Sequence, residues 1–402
     1  MGIRQKALQV REPGNLTIYI EALGLVSSQF SGIGHYILGV LRGLDALLNE
    51  AADRGERIPK VKVLVPLDRL KAFHAWGFRR LKAQVVPLPF LLMEKLLYDG
   101  SLPPLDRFFG QGVYIFTRFV SSKLSRSPSA VVVYDLSFEF HKEYADDGNA
   151  RLLSQGVRRS LGWVDKVITI SDNARSEIIE FYGIAPSGVV IATPAADREK
   201  FYRRGPDEIA RVKKRYGIEG DYILSLSNLE PRKNLGTLVD VYCELPEAVR
   251  ESLALLLVGS FGWKFGDTME QILERVEDGH NIIRPGSYVT DDDTPALISG
   301  AAMLVYPSHY EGFGMPPLEA LACGTPVIAA NNSSLPQVVG NAGRLVSCDQ
   351  PHRLREAIIA VQADLGRETE AAAVAGPIQA QKFCWRQSAQ VLLETAMELC
   401  PR

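Results

Sequence analysis

Short runs of apolar residues recur along the whole chain and alternate with stretches of helical periodicity. The runs that predict buried strands are 16–20, 61–65, 83–87, 130–133, 167–171, 189–191, 222–227, 253–258, 301–306 and 326–330. Continuous apolar runs of this length are typical of parallel strands that helices cover on both faces. The alternation of strands and helices therefore predicts an α/β protein with Rossmann-like parallel sheets.

The length of 402 residues predicts two domains. A polar, charge-rich segment runs from Pro194 to Arg204, and Gly205 and Pro206 follow it. Such a segment is typical of a hinge, so we predict one domain over residues 1–200 and a second over 201–380, with a final segment over 381–402.

The stretch 306–326 combines a buried strand, a glycine-bearing loop and a helix start. Gly312 and Gly314 allow the backbone to approach a ligand closely and to present N–H donors. Pro316 and Pro317 suit the first turn of a helix, and Gly324 suits its end. Loops at the carboxyl ends of parallel strands bind ligands in open α/β sheets, so we predict a binding site here.

Two glutamates separated by seven residues give this loop its chemistry. Glu311 lies in the loop, where its carboxylate can accept hydrogen bonds from sugar hydroxyls. Glu319 is expected in the first helical turn, where the helix dipole favours its charge and the carboxylate can chelate the two hydroxyls of a ribose. Either residue alone is equally consistent with an ordinary loop or helix residue.

Arg232 and Lys233 follow another strand and precede a helix that is expected to start near Asn234. Two cations beside a helix N-terminus predict a diphosphate site, where they would stabilise charge on a leaving nucleoside diphosphate. Two groups of aspartates, 146–147 and 291–293, are expected to be solvated turns rather than metal ligands. No cofactor and no metal site are therefore expected.

Several blocks of the sequence resemble the family 4 retaining glycosyltransferases, which have the GT-B fold. The loop of Glu311 and Glu319 resembles their E-x7-E signature, and NLEPRKNL at 228–235 resembles a block of their mannosyltransferase-like branch. Further similar blocks are 257–260, 285–289, 335–343 and 383–389. The C-terminal half matches throughout, and the N-terminal half matches in patches.

The resemblance implies two Rossmann-like domains that face each other across a cleft, with the C-terminal helix crossing back to the first domain. It implies that Glu311, Arg232 and Lys233 act on the donor sugar and its diphosphate. The residues implied to line the rest of the donor are Glu319, Gly312, Phe313, Gly314, Tyr288 and Val289.

The first half contributes an acceptor side. A loop over 27–34 carries Gly32 and Gly34, which can place backbone N–H groups beside a phosphate or an acceptor, or can form a tight turn. Many relatives carry His-Asp where this chain has Tyr134 and Asp135. Asp135 is expected to form a hydrogen bond with the sugar or to orient the acceptor. His141 either replaces part of the role of the missing histidine or, as we favour, is an ordinary surface histidine. Ser227-Asn228 likewise replaces Gly-Arg before the diphosphate loop.

Charge and cysteine usage limit the partners and the compartment. The net charge of −2 does not favour a nucleic acid partner. Residues 1–200 carry 26 Lys and Arg against 21 Asp and Glu, which suits an anionic bilayer or acceptor but is also ordinary scatter. Five cysteines without a C-x-x-C pair predict a reducing compartment and neither disulfides nor a zinc site.

No signal peptide and no long apolar run are apparent, so we expect a cytoplasmic protein, possibly peripheral on the cytoplasmic face of a membrane. Basic and aromatic residues alternate over 69–82. That segment is either a membrane-interface element or, as we favour, a solvated helix with an apolar face in the core. The pattern does not specify an oligomeric state.

Together these features predict a metal-independent, retaining glycosyltransferase of polysaccharide biosynthesis. It would transfer a hexosyl unit to a saccharide or lipid-linked saccharide. The favoured hexosyl unit is mannose, with GDP-mannose as its donor. UDP- or dTDP-sugars are alternative donors. A catalytically weak nucleotide-sugar-binding protein and a GT-B phosphorylase or epimerase-like enzyme are the rival classes.

Overall fold

The structure, a computed structural model, describes residues 16–27, 32–144, 147–260, 262 and 266–400. These residues form two compact units. The first unit takes its chain from the stretch up to Lys142, from Asp147 to Pro194, and from Cys384 onward. The second unit takes Ala195–Phe383 and a short insert that begins at Glu143. The chain enters the second unit after Pro194 and leaves it after Phe383. The boundaries predicted from the sequence were at residues 200 and 380.

The first unit is built on a seven-stranded parallel sheet of strand order β3-β2-β1-β4-β5-β6-β7. Its strands are β1 Thr17–Glu21, β2 Lys60–Pro66, β3 Lys82–Val86, β4 Val113–Phe116, β5 Ser129–Val132, β6 Lys166–Thr169 and β7 Val189–Ile191. Its helices before the crossing are α1 Gly32–Asp53, α2 Leu70–His74, α3 Phe90–Asp99, α4 Asp106–Phe109, α5 Ser137–Phe140, α6 Asp147–Leu161 and α7 Asp172–Tyr182.

The second unit is built on a six-stranded parallel sheet of strand order β10-β9-β8-β11-β12-β13. Its strands are β8 Asp221–Leu226, β9 Leu253–Val258, β10 Ile282–Ile283, β11 Met303–Tyr306, β12 Val327–Ala330 and β13 Arg344–Val346. Its helices are α8 Pro206–Arg215, α9 Leu235–Cys243, α10 Glu247–Ser252, α11 Gly266–Glu277, α12 Thr294–Gly300, α13 Met315–Ala322, α14 Leu335–Val339, α15 Pro351–Ala363 and α16 Leu365–Ala380.

Most residues of the inner strands of both sheets are buried, as the apolar runs predict, and β4 and β5 of the first sheet are buried along their whole length. Every residue of β9, β11 and β12 is buried. Side chains of these strands and of α9 and α15 form one apolar core, which includes Leu238, Val239, Leu255, Val305 and Ile358. That core fixes the strand ends from which the loops of the second unit project.

The last helix, α17 Trp385–Leu399, returns to the first unit and packs on α1. Gly39 and Gly43 make the close approach possible, since a Cβ on Gly39 would lie 2.3 Å from the Trp385 ring. Arg386 also donates to the Glu50 carboxylate at 2.6 Å. The predicted return of the C-terminal helix to the first domain is confirmed.

Three predictions of local structure were wrong or incomplete. The solvated helix predicted within 69–82 is present but covers only the five residues of α2, where Phe73 is buried. Helix α1 begins at Gly32 rather than near His35. The strands β4, β10 and β13 were not predicted; β10 has two residues and β13 begins at an exposed arginine, so neither gives a clear apolar run.

Among the residues that the structure describes, no helix is both long enough and apolar enough to cross a membrane.

Candidate active site

Loops at the carboxyl ends of β8, β11 and β12 bring the predicted donor residues together in the second unit. Arg232 and Lys233 lie in a short 3-10 turn after β8, and Glu311 lies in the loop after β11. Since the strands are parallel and β8 pairs with β11, these two loops emerge side by side. The topology thus explains why residues some 80 positions apart meet.

Glu311 is a buried carboxylate held between two cations. Its Oε1 accepts a hydrogen bond from Lys233 Nζ at 2.6 Å, and its Oε2 accepts one from Arg232 Nη1 at 3.1 Å. Burial would raise the pKa of Glu311, but Lys233 and Arg232 outweigh it and hold the pKa at about 2. The carboxylate is therefore ionised at neutral pH.

A second buried carboxylate, Glu230, completes a four-charge cluster. Arg232 Nη2 donates to Glu230 Oε1 at 2.7 Å, and Arg232 Nη1 donates to the Tyr310 carbonyl at 2.8 Å. Two carboxylates thus balance the two cations. The sequence analysis predicted only the two cations and did not include the carboxylates that already engage them.

Lys233 is the most enclosed cation of this cluster. Its ammonium donates to Tyr306 Oη at 3.0 Å as well as to Glu311. Burial and then Arg232 lower the pKa of Lys233, against the pull of Glu311 and Glu230. Burial and the Glu311 charge raise the pKa of Tyr306 well above its usual value. The tyrosine consequently serves as a neutral hydrogen-bond partner.

The loop after Glu311 turns sharply into α13. Gly314 has φ of +112°, a conformation that favours glycine, and a Cβ there would lie 2.7 Å from a methyl carbon of Leu335. Ser334 Oγ donates to the carbonyls of Glu311 and Phe313 at 2.9 and 2.6 Å. These contacts fix the backbone around Gly312 and Phe313, both of which are buried.

Sequence reasoning missed the residues that hold this loop from behind. Ser333 Oγ accepts a hydrogen bond from the Glu311 N–H at 2.9 Å, and Ser333 itself has φ of +46°. Glu230 was also missed as a site residue, although it lies in the NLEPRKNL block. The Ser333-Ser334 pair in the loop after β12 gives only a weak signal, because the contact depends on the pairing of β11 with β12.

Glu319 is the fifth residue of α13, so its predicted place in the first helical turn is wrong. The helix starts at Met315, before the two prolines, which moves Glu319 one turn inward. The residue is half-buried, and burial raises the pKa of its carboxyl to about 8, against the opposing effect of Lys200. At neutral pH this carboxyl is therefore largely protonated.

The aspartates at 291–293 are not all solvated, which corrects a second prediction. Asp293 is buried, and its Oδ2 accepts hydrogen bonds from Arg215 Nη1 at 2.5 Å and Tyr216 Oη at 2.9 Å. It stands before α12 and ties that helix to the end of α8. The other predicted turn includes Asp146, which lies outside the described residues.

Tyr288 and Val289 lie on a loop between β10 and α12. The Tyr288 side chain is 72% exposed, and Val289 is half-buried. Their exposure leaves both available to a ligand, as the resemblance implies for a nucleobase.

In the first unit, the predicted acceptor residues lie after β5. Asp135 Oδ1 accepts hydrogen bonds from Ser137 N–H and Oγ at 2.9 and 2.7 Å, which stabilises the start of α5. Tyr134 is buried and donates to the Thr117 carbonyl at 2.7 Å, and its ring packs edge-on against Tyr36. Burial raises the pKa of Tyr134 well above its usual value, so its hydroxyl stays neutral. His141 is half-buried at the end of α5.

A buried carboxylate at the same sheet edge was missed. Glu21 ends β1, and its carboxylate accepts hydrogen bonds from the N–H groups of Leu23 and Thr117 at 2.5 and 3.0 Å. It fixes the backbone that carries Thr117, and therefore the partner of Tyr134. Gly32 and Gly34 lie in the first turn of α1, with Gly32 exposed and Gly34 buried. Residues 28–31 of their predicted loop lie outside the described residues.

The fold that these units define is GT-B, as predicted. A crystal structure of HepE from Anabaena in complex with UDP-glucose superposes with a TM-score of 0.68 at 17% identity, covering 95% of this chain and 99% of that one. Residues 208–373 match the family model described as glycosyl transferases group 1. This match confirms, for the second unit, the resemblance to the family 4 glycosyltransferases.

Two curated relatives of this chain carry mannosyltransferase names. The chain is 36% identical over 255 residues to the O-antigen chain mannosyltransferase B of Escherichia coli, over 63% of this chain and 65% of the relative. It is 30% identical over 271 residues to the serotype-specific mannosyltransferase WbdA of Escherichia coli, over 65% of this chain. The chain thus spans slightly under two thirds of the first relative and about a third, 32%, of the second.

Proposed function

We propose that the protein is a glycosyltransferase that transfers mannose from GDP-mannose to a saccharide or lipid-linked saccharide acceptor in polysaccharide biosynthesis. The observation that carries the proposal is the buried Glu311, which lies between Arg232 and Lys233 beside the Gly312–Gly314 turn. The mannosyltransferase names of the two relatives support the sugar and the acceptor class.

The cluster suits stabilisation of a leaving diphosphate. When the phosphates enter, Arg232 and Lys233 exchange carboxylate partners for phosphate oxygens, and charge that builds on the leaving group meets two fixed cations. Glu311, released from one of these bonds, becomes an acceptor for a hydroxyl of the transferring sugar. Arg232 and Lys233 thus keep anionic partners both with and without a donor.

Retention of configuration and independence of metal also belong to the proposal. Both rest on the resemblance to family 4 enzymes. In same-face attack, the leaving phosphate accepts the proton of the acceptor hydroxyl while the new glycosidic bond forms, so the enzyme needs no nucleophile of its own. Arg232 and Lys233 then supply the positive charge that a divalent metal would otherwise provide.

The acceptor is proposed to bind the first unit at Asp135 and at the start of α1. Asp135 retains acceptor capacity at Oδ2, because its recorded bonds with Ser137 use Oδ1. Tyr134 would serve as an apolar wall with its hydroxyl already bonded to Thr117. His141 lies six residues after Asp135 and is not assigned a role.

A thermal-shift panel with GDP, UDP, dTDP and ADP tests the donor class. We expect GDP to raise the melting temperature most, because the proposed donor is GDP-mannose. A ligand at a hundred times its Kd adds about 2.7 kcal/mol to the free energy of unfolding. The panel is run with EDTA and again with Mg²⁺, and equal shifts are expected. Selective stabilisation by another nucleotide would replace GDP-mannose, and no stabilisation by any would refute nucleotide binding by the cluster.

The proposal also includes peripheral contact of the first unit with a membrane. Leu67, Leu91 and Leu92 are 60, 74 and 43% exposed. A hydrogen bond from Phe90 N–H to Asp68 Oδ1 at 2.8 Å brings Leu67 close to the start of α3, which carries Leu91 and Leu92. Lys71 and Lys95 are exposed nearby in the sequence and suit anionic headgroups.

Vesicle sedimentation with and without anionic lipid tests this contact. We expect Leu91→Glu with Leu92→Glu to weaken binding to anionic vesicles by tenfold or more, since each buried leucine contributes about 1.5–3 kcal/mol. Leu273→Glu, at a leucine 50% exposed in the second unit, is the matched control and should bind as the wild type does. Wild-type protein that stays in the supernatant would refute the membrane contact.

A further inference from the structure

Three side chains of types that can ligate a metal ion meet near Glu311 but take no part in the proposed transfer. His309 follows β11, while Cys348 and Asp349 follow β13. One ligand atom from each, namely a ring nitrogen, Sγ and a carboxylate oxygen, lies within 4.8 Å of the other two. Since β12 separates the two parent strands, the trio arises from the sheet order and not from sequence spacing.

We propose that His309, Cys348 and Asp349 bind one Zn²⁺ ion. Imidazole, thiolate and carboxylate are ligands that Zn²⁺ accepts together, and three protein ligands leave a fourth position for water. Binding requires the thiolate, so the Cys348 proton passes to solvent as the sulfur–zinc bond forms. The absence of a C-x-x-C pair, from which we expected no zinc site, does not exclude a trio assembled by topology.

Neighbouring groups already orient two of the three ligands. Asn332, from the loop after β12, donates to Cys348 Sγ at 3.2 Å and to the Ser308 carbonyl at 3.0 Å, so it ties the two ligand loops together. The Tyr144 ring stacks on the His309 imidazole at 5.1 Å with an interplanar angle of 5°. Outer partners of this kind fix ligand geometry in metal sites.

The ion would brace the donor loop without contacting the four-charge cluster. The backbone N–H of His309 donates a hydrogen bond to the Arg232 carbonyl at 2.9 Å. Glu311, two residues further on, already accepts hydrogen bonds from Arg232 and Lys233. Zinc would therefore link the loops after β11 and β13 and hold the backbone of Arg232. This role is structural and is separate from the proposed transfer.

Cobalt and zinc titrations of the full chain test the site. The protein is kept reduced, stripped with EDTA and titrated with Co²⁺, whose near-ultraviolet charge-transfer band reports a thiolate ligand. We expect one Co²⁺ per chain, a thiolate band, and displacement by one equivalent of Zn²⁺. Cys348→Ser should abolish the band, whereas Cys243→Ser, at a half-buried cysteine elsewhere in the second unit, should keep it.

Two further variants measure the affinity in competition with a chromophoric zinc chelator. Asp349→Asn should weaken Zn²⁺ binding, and Asn332→Ala should weaken it by about 10- to 100-fold, as for other outer partners. Circular dichroism shows whether each variant is folded. A wild-type protein without the band, or a band that survives in Cys348→Ser, would overturn the proposal. No step measures transfer, so the outcome does not depend on the proposed function.

Discussion

Replacing Glu311 with Gln is expected to lower the turnover number for sugar transfer by about 10²–10³-fold, the loss that follows removal of one well-placed polar group in an active site. The amide keeps the size of the side chain but removes its charge. The sugar then loses a charged acceptor, and Arg232 and Lys233 lose the carboxylate that positions both of them.

The same variant should not weaken binding of GDP, and this distinguishes catalysis from binding. In the wild type, the Glu311 carboxylate competes with the diphosphate for Arg232 and Lys233. Glu311→Gln removes that competitor, so the Kd for GDP, measured by calorimetry, should stay equal or fall. A parallel loss of GDP affinity and turnover would contradict this account. Glu244→Gln, at a glutamate whose side chain is 63% exposed, is the control that should leave both unchanged.

The low pKa of Glu311 also has a consequence for stability. Its folded-state pKa of about 2 lies below the ordinary 4.5, so the ionised carboxylate stabilises the fold above pH 4.5. That contribution is lost as pH falls towards 2. Removing one partner of a buried ion pair lowers the free energy of unfolding by about 3–5 kcal/mol. The turnover number of Glu311→Gln must therefore be measured below the melting temperature of the variant.

The affinity for GDP is expected to depend on the ionisation of Glu319. Burial raises the pKa of this carboxyl to about 8 in the unliganded protein. If the carboxylate chelates the ribose hydroxyls, the Kd should rise as pH falls and approach a tenfold rise per pH unit well below 8, because one pKa unit corresponds to about 1.36 kcal/mol. Since half of the carboxyl is already protonated at pH 8, the effect from pH 8 to pH 6 is about 50-fold.

Glu319→Gln is the matched control for this pH profile. The amide does not titrate, so any pH dependence that remains belongs to the nucleotide or to other groups. Superimposable profiles for wild type and variant would refute the role of Glu319. The raised pKa also means that the wild type loses stability as pH rises from about 4.5 to 8, whereas the variant lacks this loss.

The sequence was sufficient for the fold class because most buried parallel strands leave a strong local signal, although the buried strand β4 was not predicted. The run 253–258 matches β9 residue for residue, and the run 189–191 matches β7. The β13 strand failed this test, since Arg344 is exposed and its neighbours are only half-buried. Edge strands need few apolar residues, and their existence depends on the neighbour that pairs with them.

The candidate site was predicted in its parts and not in its connections. Glu311, Arg232 and Lys233 could be named from local motifs, but the balance of charges with Glu230 depends on side-chain geometry. Asp293 appeared as one of three solvated aspartates, although its bonds to Arg215 and Tyr216 bury it. Contacts between distant loops are set by strand order, which the residues of any one loop do not record.

The return of α17 to α1 places a constraint on how the chain is made. The residues that cover Gly39 and Gly43 follow the entire second unit in the sequence. During synthesis, α1 therefore emerges with its glycine face uncovered and stays so until Trp385 and its neighbours have left the ribosome. The second unit, whose main segment ends at Phe383, is complete before that moment. The first unit therefore starts to emerge first, but it cannot fold completely until the whole second unit has been synthesised.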